Sequence, residues 1–339
     1  MAAMQLIKQW KTCGGELRRY THASTSTSCP MTFAIFVPPT PAGSAPPPVL
    51  FWLSGLTCSD ENFAQKAGAA FPAAAAAGIA LVLPDTSPRG APAAQVEGAT
   101  ASWDFGIGAG FYVDATAAPW SAQWRMQAYV CEELPALLKA HLGSEVDVGR
   151  CAISGHSMGG FGALQCALRH PGQYRSVSAF APIAHPSACP WGKKAFTNYL
   201  GADPAAWAAY DPTDLISRYA GPPLHIKITC GAADEFYAAG QLLPEDFCAA
   251  ASAAGVPVDF ALEAGYDHSY FLCVAASFPI SRAWTVAKVS PSFPPPLCPL
   301  RSLQRQYLYC RAHTASRQVP AGLKERKQNK KKQFSLRAN

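Results

Sequence analysis

A serine between two glycines stands near the middle of the chain, in a setting that could make its hydroxyl a nucleophile. Residues 155–159 read Gly-His-Ser-Met-Gly, with Ser157 at the centre. An apolar segment over 150–153 and a helix-forming segment over 162–168 flank the motif, which predicts a sharp strand-to-helix turn at Ser157. The helix N-terminus would favour a negative charge developing there. The pattern predicts a nucleophilic serine, and the alternative is an ordinary glycine-serine turn before a helix.

A nucleophilic serine needs a base, and the base needs an acid that orients it. Where this motif serves catalysis, the chain order is Ser, Asp, His, with the last two on loops after later strands. Asp234 follows a predicted strand over 225–230, and His268 follows the last predicted strand, over 258–262. We therefore predict Ser157, Asp234 and His268 as a catalytic triad. The alternatives are that Asp234 only caps a helix and that His268 is a hydrogen-bonded loop residue. Less well placed rivals are Asp211, Asp214, Asp246, His156, His185 and His225.

Acyl transfer to a serine also needs two backbone N–H groups that stabilise the oxyanion. One is expected from the residue after the nucleophile, Met158, and the other from the loop after an early strand. The solid apolar segment 49–53 predicts a buried strand, and Leu56 lies in the loop directly after it. We predict the N–H groups of Leu56 and Met158 as the oxyanion hole. The alternative for the loop is a plain turn at the end of a strand.

The elements that must position these residues alternate between strands and helices. Strands are predicted over 6–13, 17–22, 32–37, 49–53, 79–83, 150–153, 176–180, 225–230 and 258–262. Helical segments are predicted over 62–77 with Gly78 as a cap, over 124–142, after the serine, within 193–209 and over 240–254. A long ordered loop is expected over 98–116. The first three strands suggest an antiparallel meander, and the later alternation predicts a mostly parallel sheet covered by helices on both faces, the α/β class.

Composition narrows the class of protein further. The 339 residues are 49% hydrophobic, which is ample for a core, and no apolar run reaches the ~18 residues of a membrane span. The first ten residues lack the pattern of a secretory signal, so the cytosol is the expected compartment. The twelve cysteines are scattered singly, without Cys-x-x-Cys pairs or Cys/His clusters. We therefore expect no metal site, and thiols that serve mainly as small buried hydrophobic groups.

Positive charge is concentrated in the last 58 residues. Thirteen of the 28 Lys and Arg residues but only one of the 22 acidic residues lie in 282–339, so residues 1–281 carry a net charge of −6. The segment 291–299 is dense in proline and 324–332 is almost continuously basic and polar. We predict one domain over 1–281 and a disordered tail over 282–339. The alternative is a basic tail that contacts nucleic acid or an acidic membrane in a non-catalytic binding protein.

Six motifs, taken together, resemble the S-formylglutathione hydrolase family, also called esterase D, which has the α/β-hydrolase fold. They occur in order over about 6–271 and are far more specific than the serine motif alone. The segments are SGLTCSDENF over 54–63, PDTSPRG over 84–90, SWDFG over 102–106, GAGFYVDAT over 108–116, GHSMGG over 155–160 and GYDHSY over 265–270.

The resemblance implies a cytosolic, cofactor-free thioesterase of formaldehyde detoxification, commonly a dimer, that hydrolyses S-formylglutathione to glutathione and formate and also cleaves small esters. Ser157, Asp234 and His268 would be its triad, and Leu56 and Met158 its oxyanion hole. Cys58 matches a thiol near the active site whose modification inhibits the family. Because a formyl group is small, we expect a narrow acyl pocket, with Trp103 and Phe105 as candidate lining residues. No nucleic-acid or membrane partner is expected.

The chain departs from the family pattern at two places. Phe161 stands just past the serine motif where the family usually has His, which would change local packing and leave the triad whole. After Phe271 the sequence ceases to resemble the family, and 274–302 lacks the closing amphipathic helix that the family would have there.

Two further functions stay open on the same fold, a general short-chain carboxylesterase and an acyltransferase.

Overall fold

A computed structural model describes residues 3–277 of the chain. The strands are β1 (Met4–Thr12), β2 (Gly15–Ala23), β3 (Pro30–Val37), β4 (Pro48–Leu53), β5 (Ala80–Pro84), β6 (Asp147–His156), β7 (Tyr174–Phe180), β8 (His225–Gly231) and β9 (Val258–Glu263). Each strand predicted from the sequence is present. The predicted tail over 282–339, and therefore the boundary after residue 281, lie outside the described residues.

Within that part of the chain the nine strands form one sheet, in the order β1-β2-β3-β5-β4-β6-β7-β8-β9. The pairs from β1 through β3 to β5 are antiparallel, and those from β5 through β4 to β9 are parallel. The antiparallel opening and the mostly parallel remainder are both confirmed. Parallel neighbours need crossover connections, and the chain supplies them as helices.

The helices differ from the sequence expectation mainly in their breaks. They are α1 (Asn62–Lys66), α2 (Ala70–Ala77), α3 (Gly90–Ala94), α4 (Met126–Ala128), α5 (Leu134–Leu142), α6 (Met158–Arg169), α7 (Pro190–Leu200), α8 (Pro204–Ala208), α9 (Pro212–Ser217), α10 (Glu235–Ala238), α11 (Pro244–Ala253) and α12 (Tyr270–Ser277). The single helix predicted over 62–77 is two helices, separated around Gly68. Gly78 does end α2, in a left-handed conformation at φ 64°. The segment predicted over 124–142 contains a π-helical turn, Tyr129–Glu133, between α4 and α5.

Two apolar cores cover the two faces of the sheet. Successive side chains of a strand point to opposite faces, so Phe33 and Ile35 join the core under α5 and α6 while Ala34 and Phe36 join the core under α1 and α2. Cys273 of α12 packs into the second core. Of the segment where a closing helix was missing, residues 274–277 belong to α12 and the rest lies beyond what the structure describes. Among residues 3–277, no helix has the length and apolar character needed to cross a bilayer.

One edge of the sheet gathers the loops that carry the predicted site. The parallel strands from β4 to β9 end at the same edge, where ligands bind in open α/β sheets. The loop after β4 holds the predicted oxyanion donor Leu56, and β6 leads directly into Ser157. The loops after β8 and β9 carry Asp234 and His268. The ordered loop 98–116 lies beside them, since the Thr57 N–H donates to the Gly108 carbonyl at 2.9 Å.

Candidate active site

Ser157 stands in a strained turn between β6 and α6. Its backbone has φ 59° and ψ −121°, in the region that non-glycine residues rarely adopt. Hydrogen bonds hold it there, because the Ser157 N–H donates to the Phe180 carbonyl at 2.9 Å and the Ser157 carbonyl accepts from the Phe161 N–H at 3.0 Å. The strand, turn and helix predicted around the serine are confirmed.

The glycines of the motif are required by close packing of backbone. A Cβ atom on Gly159 would lie 1.9 Å from the Leu53 carbonyl oxygen, and one on Gly155 would lie 2.1 Å from the Gly159 carbonyl oxygen. A Cβ on Gly55 would lie 3.0 Å from the Cβ of Ser157. The turn at Ser157 therefore packs directly against the end of β4 and the loop that follows it.

An open cavity of about 610 Å³ lies over Ser157. Its walls combine the serine and imidazole side chains with apolar and aromatic ones. The lining residues are Gly55, Leu56, Thr57, Cys58, Lys66, Trp103, His156, Ser157, Trp191, Phe236, His268, Ser269, Tyr270 and Phe271. The structure thus brings Ser157 and His268, which are far apart in the sequence, to the wall of one cavity.

Asp234 makes two kinds of hydrogen bond at once. Its Oδ1 caps α10 by accepting from the N–H groups of Phe236 at 2.8 Å and Tyr237 at 3.2 Å. Its Oδ2 accepts from His268 Nδ1 at 2.6 Å. The carboxylate is buried, at 1% exposed. The helix cap and the histidine partner use different oxygens, so the cap does not exclude a role for Asp234 beside His268. With Nδ1 donating to Asp234, the Nε2 atom of His268 is the nitrogen left to accept a proton.

Aromatic rings hold the imidazole of His268 from two sides. The centre of the His156 ring lies 4.5 Å from the centre of the His268 ring. The centre of the Phe236 ring lies 4.8 Å from it, in an edge-to-face arrangement. His156 is buried, and this burial, together with the neighbouring His268, lowers the pKa of its imidazole well below the usual range. His156 is therefore neutral beside His268. Of these two imidazoles, that of His268 is the one hydrogen-bonded to Asp234.

The rival residues lie elsewhere in the fold. His185 pairs with Asp246 at 2.7 Å, and neither lines the cavity. Asp211 is a buried helix cap that accepts from the Ser187 and Thr213 N–H groups. Of the other two, Asp214 lies inside α9 and His225 at the start of β8, the strand end opposite the site.

The two predicted oxyanion donors lie in the loop after β4 and directly after Ser157. Leu56 lines the cavity, whereas Met158 is not among the lining residues. Met158 is the first residue of α6, and the first N–H groups of a helix have no partner within it. In the described chain the N–H groups of Thr57 and Cys58 donate to Gly108 and Gly55 carbonyls, while that of Leu56 has no backbone acceptor. The N–H groups of Leu56 and Met158 are therefore both available at this edge of the sheet.

Cys58 is buried on the cavity wall, with its Sγ 4.0 Å from the hydroxyl oxygen of Tyr270. Burial raises the pKa of the thiol. The backbone carbonyl oxygen of Cys58 accepts hydrogen bonds from the Thr86 hydroxyl at 2.5 Å and from Arg89 Nη2 at 2.7 Å. Arg89 also forms an ion pair with Asp85 at 2.9 Å. Burial raises the pKa of the Asp85 carboxyl to about 6, although the Arg89 guanidinium acts to lower that pKa. These contacts tie the loop of Leu56 to the 84–90 segment, whose roles the sequence did not indicate.

The two candidate lining residues for the acyl pocket have different positions. Trp103 is 58% exposed, lines the cavity and meets Trp191 edge to face at 5.8 Å. Phe105 is not among the residues that line the cavity. Its ring is 6% exposed and stacks on Tyr199 at 4.5 Å, inside an aromatic cluster of the core. Burial of the apolar surface of this ring stabilises the fold, which favours a position in the core over one at the open cavity.

Phe161, the departure from the family pattern, is fully buried behind the serine turn. Its ring contacts those of Phe111 at 6.2 Å and Phe196 at 5.9 Å, and it does not line the cavity. The substitution therefore belongs to the core. Sequence reasoning also missed Lys66, Trp191, Phe236 and Phe271 on the cavity wall, because nothing local in the sequence marks them.

Known proteins resemble this chain in both sequence and fold. A model of the family described as "Putative esterase" matches residues 24–277. The S-formylglutathione hydrolase of Rattus norvegicus is 52% identical over 268 residues, covering 79% of this chain and 93% of the rat protein. The chain belongs to the S-formylglutathione hydrolase family of esterases. The S-formylglutathione hydrolase of Arabidopsis thaliana is also 52% identical, covering 78% of this chain and 91% of the plant protein.

A solved structure supports the same family at the level of the fold. The S-formylglutathione hydrolase of Agrobacterium tumefaciens superposes with a TM-score of 0.76 at 39% identity, covering 84% of this chain and 99% of the other. The α/β-hydrolase fold implied by the sequence resemblance is confirmed. Among residues 3–277, no group of His, Cys, Asp and Glu side chains is arranged to hold a metal ion.

Proposed function

We propose that this protein is a serine thioesterase that hydrolyses S-formylglutathione to glutathione and formate. The observation that carries the proposal is the bond between Asp234 and His268 at 2.6 Å, on the wall of the cavity that Ser157 also lines. A hydroxyl, an imidazole and a buried carboxylate in this order are the parts that acyl transfer needs. Membership of a family whose members carry this name supports the choice of substrate.

In the proposed mechanism, Nε2 of His268 removes the Ser157 proton while Oγ attacks the formyl carbon. The N–H groups of Leu56 and Met158 stabilise the tetrahedral oxyanion, and one such donor contributes about 3 kcal/mol in the transition state. The C–S bond breaks, and His268 gives its proton to the leaving thiolate. Water, deprotonated by His268, then attacks the formyl-enzyme, and formate leaves as the proton returns to Ser157. Asp234 holds the imidazole in the required tautomer throughout.

The test is Ser157→Ala, assayed for formate release from S-formylglutathione. We expect activity to be lost while the far-UV circular dichroism and the melting temperature stay close to those of the parent. The matched control is Ser154→Ala, a buried serine of β6 whose hydroxyl donates to the Ser178 carbonyl at 2.8 Å, away from the cavity. Normal turnover by Ser157→Ala would end the proposal.

A general short-chain carboxylesterase or acyltransferase is the alternative on this fold. The largely apolar and aromatic wall of the cavity supports keeping it, since such a wall also suits the acyl chains of neutral esters. Comparing kcat/KM for S-formylglutathione with that for neutral esters of increasing acyl length separates the two. A preference for long acyl chains, or product transferred to an added alcohol, favours the alternative.

We propose further that the enzyme works in the cytosol, without a cofactor, as a homodimer, and that its domain ends near residue 281. The resemblance to the family supports these points. Light scattering of the full chain and of a chain lacking 282–339 tests the dimer and the domain boundary together. If salt-sensitive nucleic-acid or membrane binding depends on 282–339 and esterase activity is absent, the protein is a binding protein instead.

A further inference from the structure

The cavity over Ser157 has an unbalanced set of charges. Of the residues that line it, Lys66 is the one lysine, none is Arg, and none is Asp or Glu. The remaining wall is built largely from aromatic rings. Trp103 and Phe271 reach the solvent at its mouth, with 58% and 78% of their surfaces exposed. A single cation beside apolar groups favours an anionic ligand over a cationic one, and Lys66 would meet that ligand as a solvent-exposed charge.

Lys66 is held at the cavity by an aromatic ring. It is the last residue of α1, and its Nζ lies 5.6 Å from the centre of the Tyr270 ring. Tyr270 itself is buried and lines the cavity. A cation over an aromatic face is attracted by the ring's quadrupole, which keeps the ammonium group near the cavity.

No carboxylate neutralises this ammonium group within residues 3–277. The ion pairs of that part of the chain use Lys11, Lys194 and Lys227 among the lysines, and none includes Lys66. With no partner in this part of the chain, the ammonium group of Lys66 can pair with a group of the ligand.

We propose that Lys66 binds a carboxylate of the thiol-bearing part of the substrate and so makes the enzyme select anionic thioesters. The inference rests on the proposed function. When the formyl carbon is at Ser157, the peptide part of S-formylglutathione extends from the sulfur toward the cavity mouth. That part carries two carboxylates and one ammonium at neutral pH, a net negative charge. Lys66 is a specificity-determining residue, and its contact is with the leaving group rather than with the reacting bond.

This role predicts an effect on substrate binding and little on chemistry. Lys66→Gln should raise KM for S-formylglutathione about two- to fivefold, the range expected for an exposed ion pair, with kcat nearly unchanged. Lys66→Arg should restore the parent KM, and Lys66→Glu should raise KM further. Raising the ionic strength should raise KM of the parent and of Lys66→Arg and leave that of Lys66→Gln unchanged, since salt screens exposed charges.

A neutral substrate separates recognition from any general damage to the site. For a short-chain neutral ester, and for the S-formyl thioester of a neutral thiol, Lys66→Gln should match the parent in both kcat and KM. The control is Lys139→Gln, an exposed lysine on α5 that does not line the cavity, which should leave all substrates unaffected.

The inference is overturned if Lys66→Gln leaves KM for S-formylglutathione unchanged, or if it weakens neutral and anionic substrates equally. Either result leaves the proposed function standing, because the parent still hydrolyses S-formylglutathione. If the parent hydrolyses neutral esters and not S-formylglutathione, the proposed function fails first and the inference fails with it.

Discussion

The two roles of the Asp234 carboxylate can be separated by Asp234→Asn. The amide oxygen of Asn can still cap α10, since Asn is as good an N-cap as Asp. The amide nitrogen would instead donate to His268 Nδ1, and the imidazole would then carry its proton on Nε2. In that tautomer His268 cannot accept the Ser157 proton. We expect kcat to fall about 10⁴-fold, the size of this effect in other triads, with little change in stability.

Asp234→Ala should remove both roles. It loses a helix cap, worth about 1 kcal/mol, and the hydrogen bond to His268, worth about 1 kcal/mol. A loss of about 2 kcal/mol lowers the melting temperature by roughly 4–8 °C in a domain of this size. The matched control is Asp203→Ala, which removes a cap of α8 at 2.9 Å from the Ala205 N–H and nothing else. It should reduce stability and leave kcat unchanged.

The assays are hydrolysis of S-formylglutathione for kcat and thermal unfolding for stability. Near-parent kcat in Asp234→Asn would refute the role of Asp234 in orienting His268. A melting temperature for Asp234→Asn as low as that of Asp234→Ala would refute the separation of the two oxygens.

Three further predictions concern the neighbours of Ser157. Gly55→Ala should lower kcat about tenfold, because the new Cβ meets the Ser157 Cβ at 3.0 Å and displaces the nucleophile; Gly68→Ala, with no atom within 4 Å of its Cβ, is the control. Burial and the neighbouring His268 lower the pKa of His156, so below pH 6.5 the unfolded chain binds a proton that the folded chain does not. Urea unfolding should therefore show that the free energy of unfolding decreases as the pH is lowered below about 6.5, by at most ~1.4 kcal/mol per pH unit from this group. His156→Gln should reduce this slope. An unchanged slope would contradict the lowered pKa of His156. Burial raises the pKa of Cys58, so iodoacetamide should inactivate the enzyme slowly at pH 7 and faster at pH 9, and equal inactivation of Cys58→Ser would show that another thiol is responsible.

Much of the fold could be predicted because its signals are local. Apolar segments of five or six residues marked the buried strands, and their alternation with helical segments identified a parallel sheet. The errors occurred where local signals compete. The Ala-rich segment 62–77 has strong helix propensity throughout, yet the chain turns around Gly68 to pack Phe63 and Phe71 on the same core. The π-helical turn in 129–133 likewise left no trace in the spacing of apolar residues.

For the candidate site, the sequence by itself determined the turn at Ser157 and the need for its glycines, because strand, turn and helix propensities act over a few residues. Only the tertiary structure decided which distant side chains share a cavity. It brought Lys66 and Phe236 to the cavity that Ser157 also lines, and it buried Phe105 in the core while Trp103, two residues away, lines the cavity. The order of the strands and the packing of the loops at one sheet edge determine which side chains share the cavity. Neither can be read from a short segment of the sequence.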